Sequence, residues 1–460
     1  MELKGKKVLV LGLGETGLSC VRWLHGQGAR VSAADSRPNP PFLDPIQQEF
    51  PDVAVEAGPF RPELLNAAEL LVISPGVPVR EPVVAGAIAR GIPYVGDVEL
   101  FALRLLRSDA GHIKVLGITG ANGKSTVTTM VGEMCAKAGL ATVVAGNIGL
   151  PVLDAITEAE SKGMPDIFVL ELSSFQLETT HSLHCAAATV LNVTEDHMDR
   201  YDSMGDYAAA KARIFEGNGV QVLNREDAWS LGMRQEGRKV VTFGLNPPAS
   251  SEDWGLVEES DGTWLCQGEN KIMSLQDLPL AGRHNAANAL ASLALCRAID
   301  LPVEPLVDAL RHFKGLPHRV EWVSEISKVN YFDDSKGTNV GATVAALNGM
   351  EQQVVLIAGG DGKGQDFTPL ANAVAGHARA VVLIGRDGPL IGQALQSTGV
   401  LLLNAATMEE AVKLASNAAQ QGDAILLSPA CASFDMFRNY EHRAQVFIAA
   451  VKALKKETVH

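Results

Sequence analysis

The sequence predicts an α/β chain of three domains, on three observations. Short, continuous apolar runs alternate with helix-patterned stretches almost end to end, the pattern of parallel strands covered on both faces. Two of these runs lead directly into glycine-rich turns that are followed by helices. Two breaks interrupt the alternation, Ser108-Asp-Ala-Gly-His112 and Gly315-Leu-Pro317, giving domains at 1–110, 111–315 and 316–460. A chain of 460 residues accommodates that number at ~150 residues per domain.

The first domain opens with the strand Lys7-Val-Leu-Val-Leu11, the turn Gly12-Leu-Gly14-Glu15-Thr16-Gly17 and the helical run Leu18–Leu24. That order is Rossmann-like, with backbone N–H groups at a helix start able to receive a pyrophosphate. The next strand, Arg30–Ala34, delivers Asp35 near the distance at which an acid meets a ribose hydroxyl. Leu70–Ser74 and Pro93–Gly96 continue the alternation, with helical stretches up to Arg107, and the prolines at 38–41 read as a rigid turn. Taken alone, this start suits an NAD-dependent dehydrogenase. The fingerprint places a nucleotide without identifying it, because a UDP-sugar offers the same pyrophosphate.

The second domain begins with Val115-Leu-Gly-Ile-Thr119 running into Gly120-Ala121-Asn122-Gly123-Lys124-Ser125-Thr126 and a helical pattern from Val127 to Ala138. Glycines let backbone N–H groups converge on phosphate oxygens, Lys124 adds a cation, and the Ser125 or Thr126 hydroxyl can ligate Mg²⁺. The loop is shorter than the usual phosphate loop, since Ile118 stands where a first glycine is expected. Ile167–Leu172, Ala187–Asn192, Val220–Asn224 and Val240–Gly244 extend a buried parallel sheet of the P-loop ATPase-like kind. Residues 246–279 read as a loop with a small antiparallel appendage, and two helices, Asn285–Ile299 and Val303–Phe313, close the domain. In the third, Rossmann-like domain, strands at Val354–Ala358, Ala380–Ile384, Val400–Leu403 and Ala424–Leu427 each precede a helical pattern.

Composition narrows the function. With 39 Lys plus Arg against 53 Asp plus Glu, the formal charge of −14 excludes a general nucleic-acid or membrane-surface binder. Six scattered cysteines without a Cys-x-x-Cys argue for reduced, buried thiols and against a zinc or disulfide framework. No apolar run reaches the ~18 residues of a membrane span, and the N-terminus enters a strand directly, so the chain is expected to be cytoplasmic.

Ligands in open α/β sheets sit beyond the carboxyl ends of the strands. Glu171 at such an exit can hold Mg²⁺ opposite Lys124 and Ser125, or form a strand-end salt bridge. His197 follows the next exit and is a metal or phosphate candidate, although a lone histidine is more often structural. Lys211, in the alanine-rich Tyr207-Ala-Ala-Ala-Lys-Ala-Arg213, reads locally as a solvated surface lysine. Arg319, Asp334, Lys336, Lys363 and Ser433 fall at breaks or exits of the third domain, with Ser433 also a possible cap for a helix Phe434–Ala444. Lys336 and Lys363 concentrate positive charge in an acidic chain, which points to an anion.

Together these segments resemble the Mur ligases, the ATP-dependent amide-bond ligases of bacterial peptidoglycan synthesis. The motifs are the N-terminal glycine loop, Ser74-Pro-Gly76, residues 119–126, Gly146-Asn147-Ile-Gly149, Glu171-Leu-Ser-Ser-Phe-Gln176, Asp196-His-Met-Asp-Arg-Tyr201, His284-Asn285-Ala-Ala-Asn288, Gly315-Leu-Pro-His-Arg319, Asp334-Ser-Lys336 and Ser428-Pro-Ala-Cys-Ala-Ser433-Phe-Asp. They span essentially the whole chain, and the last motif and the Asp196–Tyr201 run match the D-glutamate-adding members. The resemblance implies that the first domain binds UDP-MurNAc-L-alanine, through Gly14, Glu15, Thr16, Gly17, Asp35, Ser36, Arg37, Ser74 and Gly76, with Asn147 on the muramoyl part. It implies ATP on residues 120–126 with Asn285, Asn288, Arg319, Asp334 and Lys336, and D-glutamate on Lys363, Ser433, Phe434 and Tyr440. It implies two Mg²⁺ sites, Ser125 with Glu171 and His197 with a CO₂-derived carbamate on Lys211, and makes Lys124, Glu171, His197 and Lys211 the catalytic set.

Two departures are visible: Gly337 stands where the family often has Ala, in a run beginning with Asp333 rather than Asn, and Tyr440 stands where Phe is expected. By the resemblance, ATP phosphorylates a carboxylate and an amine attacks the acyl phosphate, with the third domain closing about Gly315-Leu-Pro317. Small-molecule substrates, no nucleic acid and a monomeric chain complete the expectation. The rivals are another amino-acid ligase of the Mur/folylpolyglutamate superfamily, the dehydrogenase, and a non-enzymatic nucleotide-binding switch, which needs the loop but not Glu171, His197 and Lys211.

Overall fold

The protein was analysed as a computed structural model, which describes residues 2–106, 113–280, 282–350 and 352–458. The Ser108–His112 break lies outside the described residues.

Strands Lys7–Leu11 (β1), Arg30–Asp35 (β2), Ala54–Ala57 (β3), Leu70–Ile73 (β4) and Tyr94–Val95 (β5) form the first sheet, all parallel, in the order β3-β2-β1-β4-β5. The continuous apolar run of β1 is explained by its two faces. Val8 and Val10 enter one core, while Leu9 and Leu11 enter another on the opposite side.

The second sheet has nine strands: Lys114–Thr119 (β6), Thr142–Gly146 (β7), Ile167–Glu171 (β8), Ala187–Val190 (β9), Val220–Asn224 (β10), Val240–Phe243 (β11), Trp254–Glu259 (β12), Gly262–Gln267 (β13) and Asn270–Ser274 (β14). Their order is β14-β13-β12-β11-β10-β9-β6-β8-β7, parallel except for the β12-β13-β14 meander at one edge. The expected appendage in residues 246–279 is this meander. β6 lies between β8 and β9, so the exits of three neighbouring strands, at Thr119, Glu171 and Val190, open side by side.

The third sheet orders Glu321–Ile326 (β15), Val329–Asp333 (β16), Val354–Gly359 (β17), Ala378–Ile384 (β18), Leu401–Asn404 (β19) and Ala424–Leu427 (β20) as β15-β16-β20-β17-β18-β19. Only the β15–β16 hairpin is antiparallel. Sequence pattern alone left out β3, β7, β15 and β16. Of these, β3, β7 and β15 are edge strands; β3 is a four-residue strand interrupted by Glu56, and β15 carries exposed Glu321 and Glu325, so both lack the continuous apolar signal.

One helix starts later than expected. Residues 433–437 form a turn, with Ser433 O accepting from Met436 N and Phe437 N, and the helix runs Tyr440–Thr458. Asn439, not Ser433, takes the capping place, its Oδ1 accepting from His442 N at 2.8 Å.

The domains meet along two seams. At the first, helices Glu15–Gly26 and Asp97–Leu105 pack on the central helix Val152–Lys162, and a single apolar core runs through both domains. Phe101 meets Phe168 edge-on at 5.1 Å, and Asp97 and Glu99 accept from Gln176 and from the Ser182 hydroxyl and the amides of His181 and Ser182. At the second seam the contacts are polar. Arg319, Asn339, Lys363 and Asp366 N reach Ser125, Asn122 and Asp196, Asp196, and Glu195 respectively.

Candidate active site

β6 is buried because it lies mid-sheet, and its exit turn is shaped by glycine. Gly120 and Gly123 have φ of +154° and +85°, and a Cβ on Gly123 would sit 2.5 Å from Asn288 Oδ1. The turn leads into helix Lys124–Lys137, whose N-cap Gly123 offers no side chain to its first N–H groups. Asn192, just past β9, braces the turn twice: its Oδ1 accepts from Asn122 N at 2.8 Å, and its Nδ2 donates to Asn122 O at 3.0 Å. Lys124 Nζ donates to Gly120 O and Ala121 O, each at 2.9 Å. Burial lowers its pKa, partly offset by Glu171 and Asp196.

Glu171 ends β8. Its Oε1 accepts from Asn147 Nδ2 at 2.8 Å, while its Oε2 is buried with no hydrogen-bond partner. An unpaired buried carboxylate oxygen at the exit of the strand next to β6 is a ligand atom for a hard divalent cation. Gly146 lets the two backbones approach, since a Cβ there would lie 2.2 Å from the backbone Glu171 O, which accepts from Asn147 N at 2.8 Å.

Lys211 is not on the surface. It is 1% exposed, stands 4.4 Å from the Tyr207 ring centroid, and donates to Gly120 O at 2.9 Å, the carbonyl that Lys124 also uses. Burial, followed by the charge of Lys124, drives its pKa well below that of a free lysine. His197 sits at φ +59° against the Phe175 ring at 4.7 Å. Burial brings its pKa down to about 4 against the pull of Asp196, with Lys363, Lys124 and Lys211 adding to the fall, which favours the uncharged imidazole, the form able to ligate a metal. Burial works to raise Asp196, but Lys363, His197 and Lys124 outweigh it and hold the carboxyl at about 2.

The third domain supplies the far wall. Arg319 Nη2 lies 3.4 Å from Ser125 Oγ, and Lys363 Nζ pairs with Asp196 Oδ1 at 2.8 Å. Asp334 accepts from Ser428 Oγ at 2.6 Å, and burial raises its pKa to about 7 against the pull of Ser428 and Arg319. Lys336 Nζ stands 5.0 Å from the Tyr440 ring centroid, and burial lowers its pKa. A cavity of about 280 Å³ spans the seam, lined by Asn122, Thr126, Asn285, Asn288, Arg319 and Asp334 among others. Lys363 is held at φ +52° by a loop paired with residues 430–432 through Asp361 and Ala432. Ser433 is buried there, while Phe434 is 74% exposed.

The first-domain loop forms a separate cluster. A Cβ on Gly17 would fall 2.0 Å from Gly12 O, so this glycine is needed for closure, whereas a Cβ on Gly14 meets nothing within 4 Å and leaves backbone open to a ligand. Glu15 and Thr16 begin the helix, Ser74 Oγ donates to Gly12 O at 2.8 Å, and Gly76 lies open beyond it. Asp35 accepts from Leu13 N at 2.6 Å and from Arg37 Nη2 at 2.6 Å, beside Ser36.

The structure therefore joins residues 120–126, Asn147, Glu171, His197, Lys211, Arg319 and Lys363 in one neighbourhood, with Asn285, Asn288 and Asp334 around the adjoining cavity. Asn192, Asp196 and Asn339 belong to it as well and were not singled out from sequence. Asn192 and Asp196 stood in the segment after a predicted strand exit, a usable signal; the crossing of Asn339 to Asn122 had none.

Fold and site define an α/β enzyme with a phosphate-type loop, whose last domain completes the adjoining cavity. Family models match as Mur ligase MurD-like, N-terminal domain over residues 6–96, Mur ligase middle domain over 118–296, and Mur ligase, glutamate ligase domain over 318–431. The chain belongs to the Mur ligase family. It is 61% identical over 459 residues to the UDP-N-acetylmuramoylalanine–D-glutamate ligase of Methylobacillus flagellatus, covering 100% of this chain and 99% of that protein. The corresponding ligase of Thiobacillus denitrificans is 58% identical, covering 99% and 98%. Among solved structures, the fold is similar to UDP-N-acetylmuramate-alanine ligase from Thermotoga maritima, with TM-score 0.60 and 19% identity over 98% of this chain and 100% of that one. Among the described residues, no helix is long and apolar enough to cross a membrane.

Proposed function

We propose that the chain is an ATP-dependent ligase joining D-glutamate to UDP-N-acetylmuramoyl-L-alanine, in cytoplasmic synthesis of peptidoglycan precursors. The observation that carries this reading is the second seam, where the phosphate loop of one domain and Lys363 of another meet around Asp196. A nucleotide phosphate and an anionic amino acid can be held side by side there. Full-length likeness to D-glutamate ligases supports the choice of substrates.

A carboxylate is a poor acyl donor because oxide would have to leave. Transfer of the γ-phosphoryl group from ATP to the muramoyl-alanine carboxylate releases ADP and makes phosphate the leaving group. The D-glutamate nitrogen then attacks the acyl carbon, phosphate departs with the C–O bond, and the nitrogen loses a proton. Lys124 exchanges its two carbonyl acceptors for phosphate oxygens, and Arg319 approaches the same charge from the opposite wall. Ser125 and the unpaired Oε2 of Glu171 would hold Mg²⁺, which neutralises phosphate charge. His197 suits a second Mg²⁺ with a carbamate formed when the neutral Lys211 amine bonds CO₂ and gives up a proton. Two ammonium groups sharing the one Gly120 carbonyl would repel each other, and the carbamate relieves that conflict. Gly14, Gly17, Asp35 and Ser74 frame the UDP end.

Phosphate release from ATP with UDP-N-acetylmuramoyl-L-alanine tests the reading, comparing D-glutamate with L-glutamate, glycine and L-lysine. Release that requires D-glutamate is expected. Equal release with L-lysine moves the chain to another ligase of the superfamily, and NADH binding that UDP does not compete revives the dehydrogenase. Lys211→Ala is expected to lose about a hundredfold in rate, roughly 3 kcal/mol, with partial rescue by acetate and none by methylamine. Rescue by amines alone would overturn the carbamate.

A further inference from the structure

Arg443, on helix Tyr440–Thr458, has none of its surface exposed. Its guanidinium donates from Nε to Ser335 Oγ at 3.0 Å, from Nη2 to Ser335 O at 2.7 Å and from Nη1 to Cys431 O at 3.0 Å. All three acceptors are neutral, and among the described residues no carboxylate is within hydrogen-bond distance of it. A buried charge without a hydrogen-bonded counter-ion is costly to desolvate, and a hydrophobic side chain of similar volume would avoid that cost while leaving the Ser335 and Cys431 carbonyls without a donor. Asp435, Asp333 and Asp334 attract the charge through space without bonding it, so what the arginine adds at this position is the set of three bonds.

The rigid fork of donors does what a hydrophobic residue cannot: it fixes two loops at a set separation. The first loop, residues 333–336, carries Asp334 and Lys336, and the second, residues 428–433, carries Ser433. Ser335 is also held from the helix start, its Oγ donating to Tyr440 O at 2.8 Å, and the Tyr440 ring faces Lys336 Nζ. The second loop is in turn paired with the loop of Lys363 through Asp361 and Ala432. Arg443 is thus the shared fastening of the segments that present the third domain's cations and hydroxyls to the seam.

We propose that Arg443 is a positioning residue that couples the nucleotide side of the third domain to its amino-acid side by locking the 333–336 loop against the 428–433 loop. The proposal rests on the functional reading above, which assigns Asp334 and Lys336 to ATP and Ser433 to D-glutamate. It touches neither substrate itself.

Arg443→Met, which keeps the volume and removes the fork, tests it in steady-state phosphate release with thermal melting alongside. KM for D-glutamate and for ATP should each rise about tenfold and KM for the UDP substrate should stay within about twofold, while the melting temperature falls modestly because two buried carbonyls lose their donor. Ser335→Ala, which removes one acceptor, should show the same split at smaller size, and the double variant should be no worse than Arg443→Met alone. Should Arg443→Met fail to fold, Ser335→Ala decides by whether it shows the split. Unchanged KM values, or KM values rising equally for all three substrates, would overturn the coupling while an active wild type left the functional reading intact. A wild type inactive with these substrates would overturn both.

Discussion

Where the first domain meets the second, Phe101 lies edge-on to Phe168 inside a continuous core, and the polar groups present are braces such as Glu99 on residues 181 and 182. Where the third domain meets the second, Arg319, Asn339 and Lys363 reach across to hydroxyl, amide and carboxylate. Apolar contact has no partner to exchange and is lost outright on separation, so the first seam is a permanent joint. Polar contact can be handed over from protein to ligand at small net cost, which suits the seam where the proposed function places the substrates. Gly315, at φ +82° between the last central helix and β15, lets the chain turn there.

That contrast is open to test. The largest effect is expected at the first seam: Phe101→Ala should lower stability by about 3–5 kcal/mol in denaturant unfolding, with KM for D-glutamate unchanged in the folded fraction. A loss under 1 kcal/mol would mean the joint is not apolar in its energetics. Lys363→Ala at the second seam should do the reverse, raising KM for D-glutamate about a hundredfold, near 3 kcal/mol, while leaving the unfolding midpoint nearly in place. If KM for ATP rises equally, Lys363 serves the nucleotide instead.

A smaller effect concerns pH. Asp97 is buried at the first seam, and burial raises its pKa to about 6, with Gln176 pulling the other way. A carboxyl raised on folding contributes its stability below the unfolded pKa of 3.8 and loses it as pH rises through about 6. Asp97→Asn keeps an acceptor for Gln176 and removes the titration. The variant should therefore gain stability over the wild type between pH 5 and 8, by about 2–3 kcal/mol at most, and match it at pH 4. No change in that difference across the range would show Asp97 to be solvated. The smallest effect is expected from Arg80→Ala, whose exposed pair with Asp202 across the first seam should cost about 0.5 kcal/mol and less in high salt.

Much of this was legible in the sequence. The buried strands β1, β6, β8, β17 and β20 announced themselves as unbroken apolar runs, and the residues at their exits gave the glycine loops and Glu171. Strands β3 and β15 did not, because half of each faces water. Lys211 read locally as a surface residue, since a single polar residue among alanines sets no face to a helix; only the resemblance pointed inward. The pairings of Lys363 with Asp196 and of Asn339 with Asn122 depend on how two domains are docked, which no local spacing encodes.

The shared core of the first seam also bears on synthesis. Helix Asp97–Leu105 leaves the ribosome well before Phe168, against which Phe101 packs, has been made. At ordinary elongation rates that interval is on the order of several seconds, during which Leu100 and Phe101 lack their cover. The nascent first domain is then a client for chaperones, and residues 1–106 produced alone should be sticky. A separately produced third domain, whose seam is polar, should stay in solution.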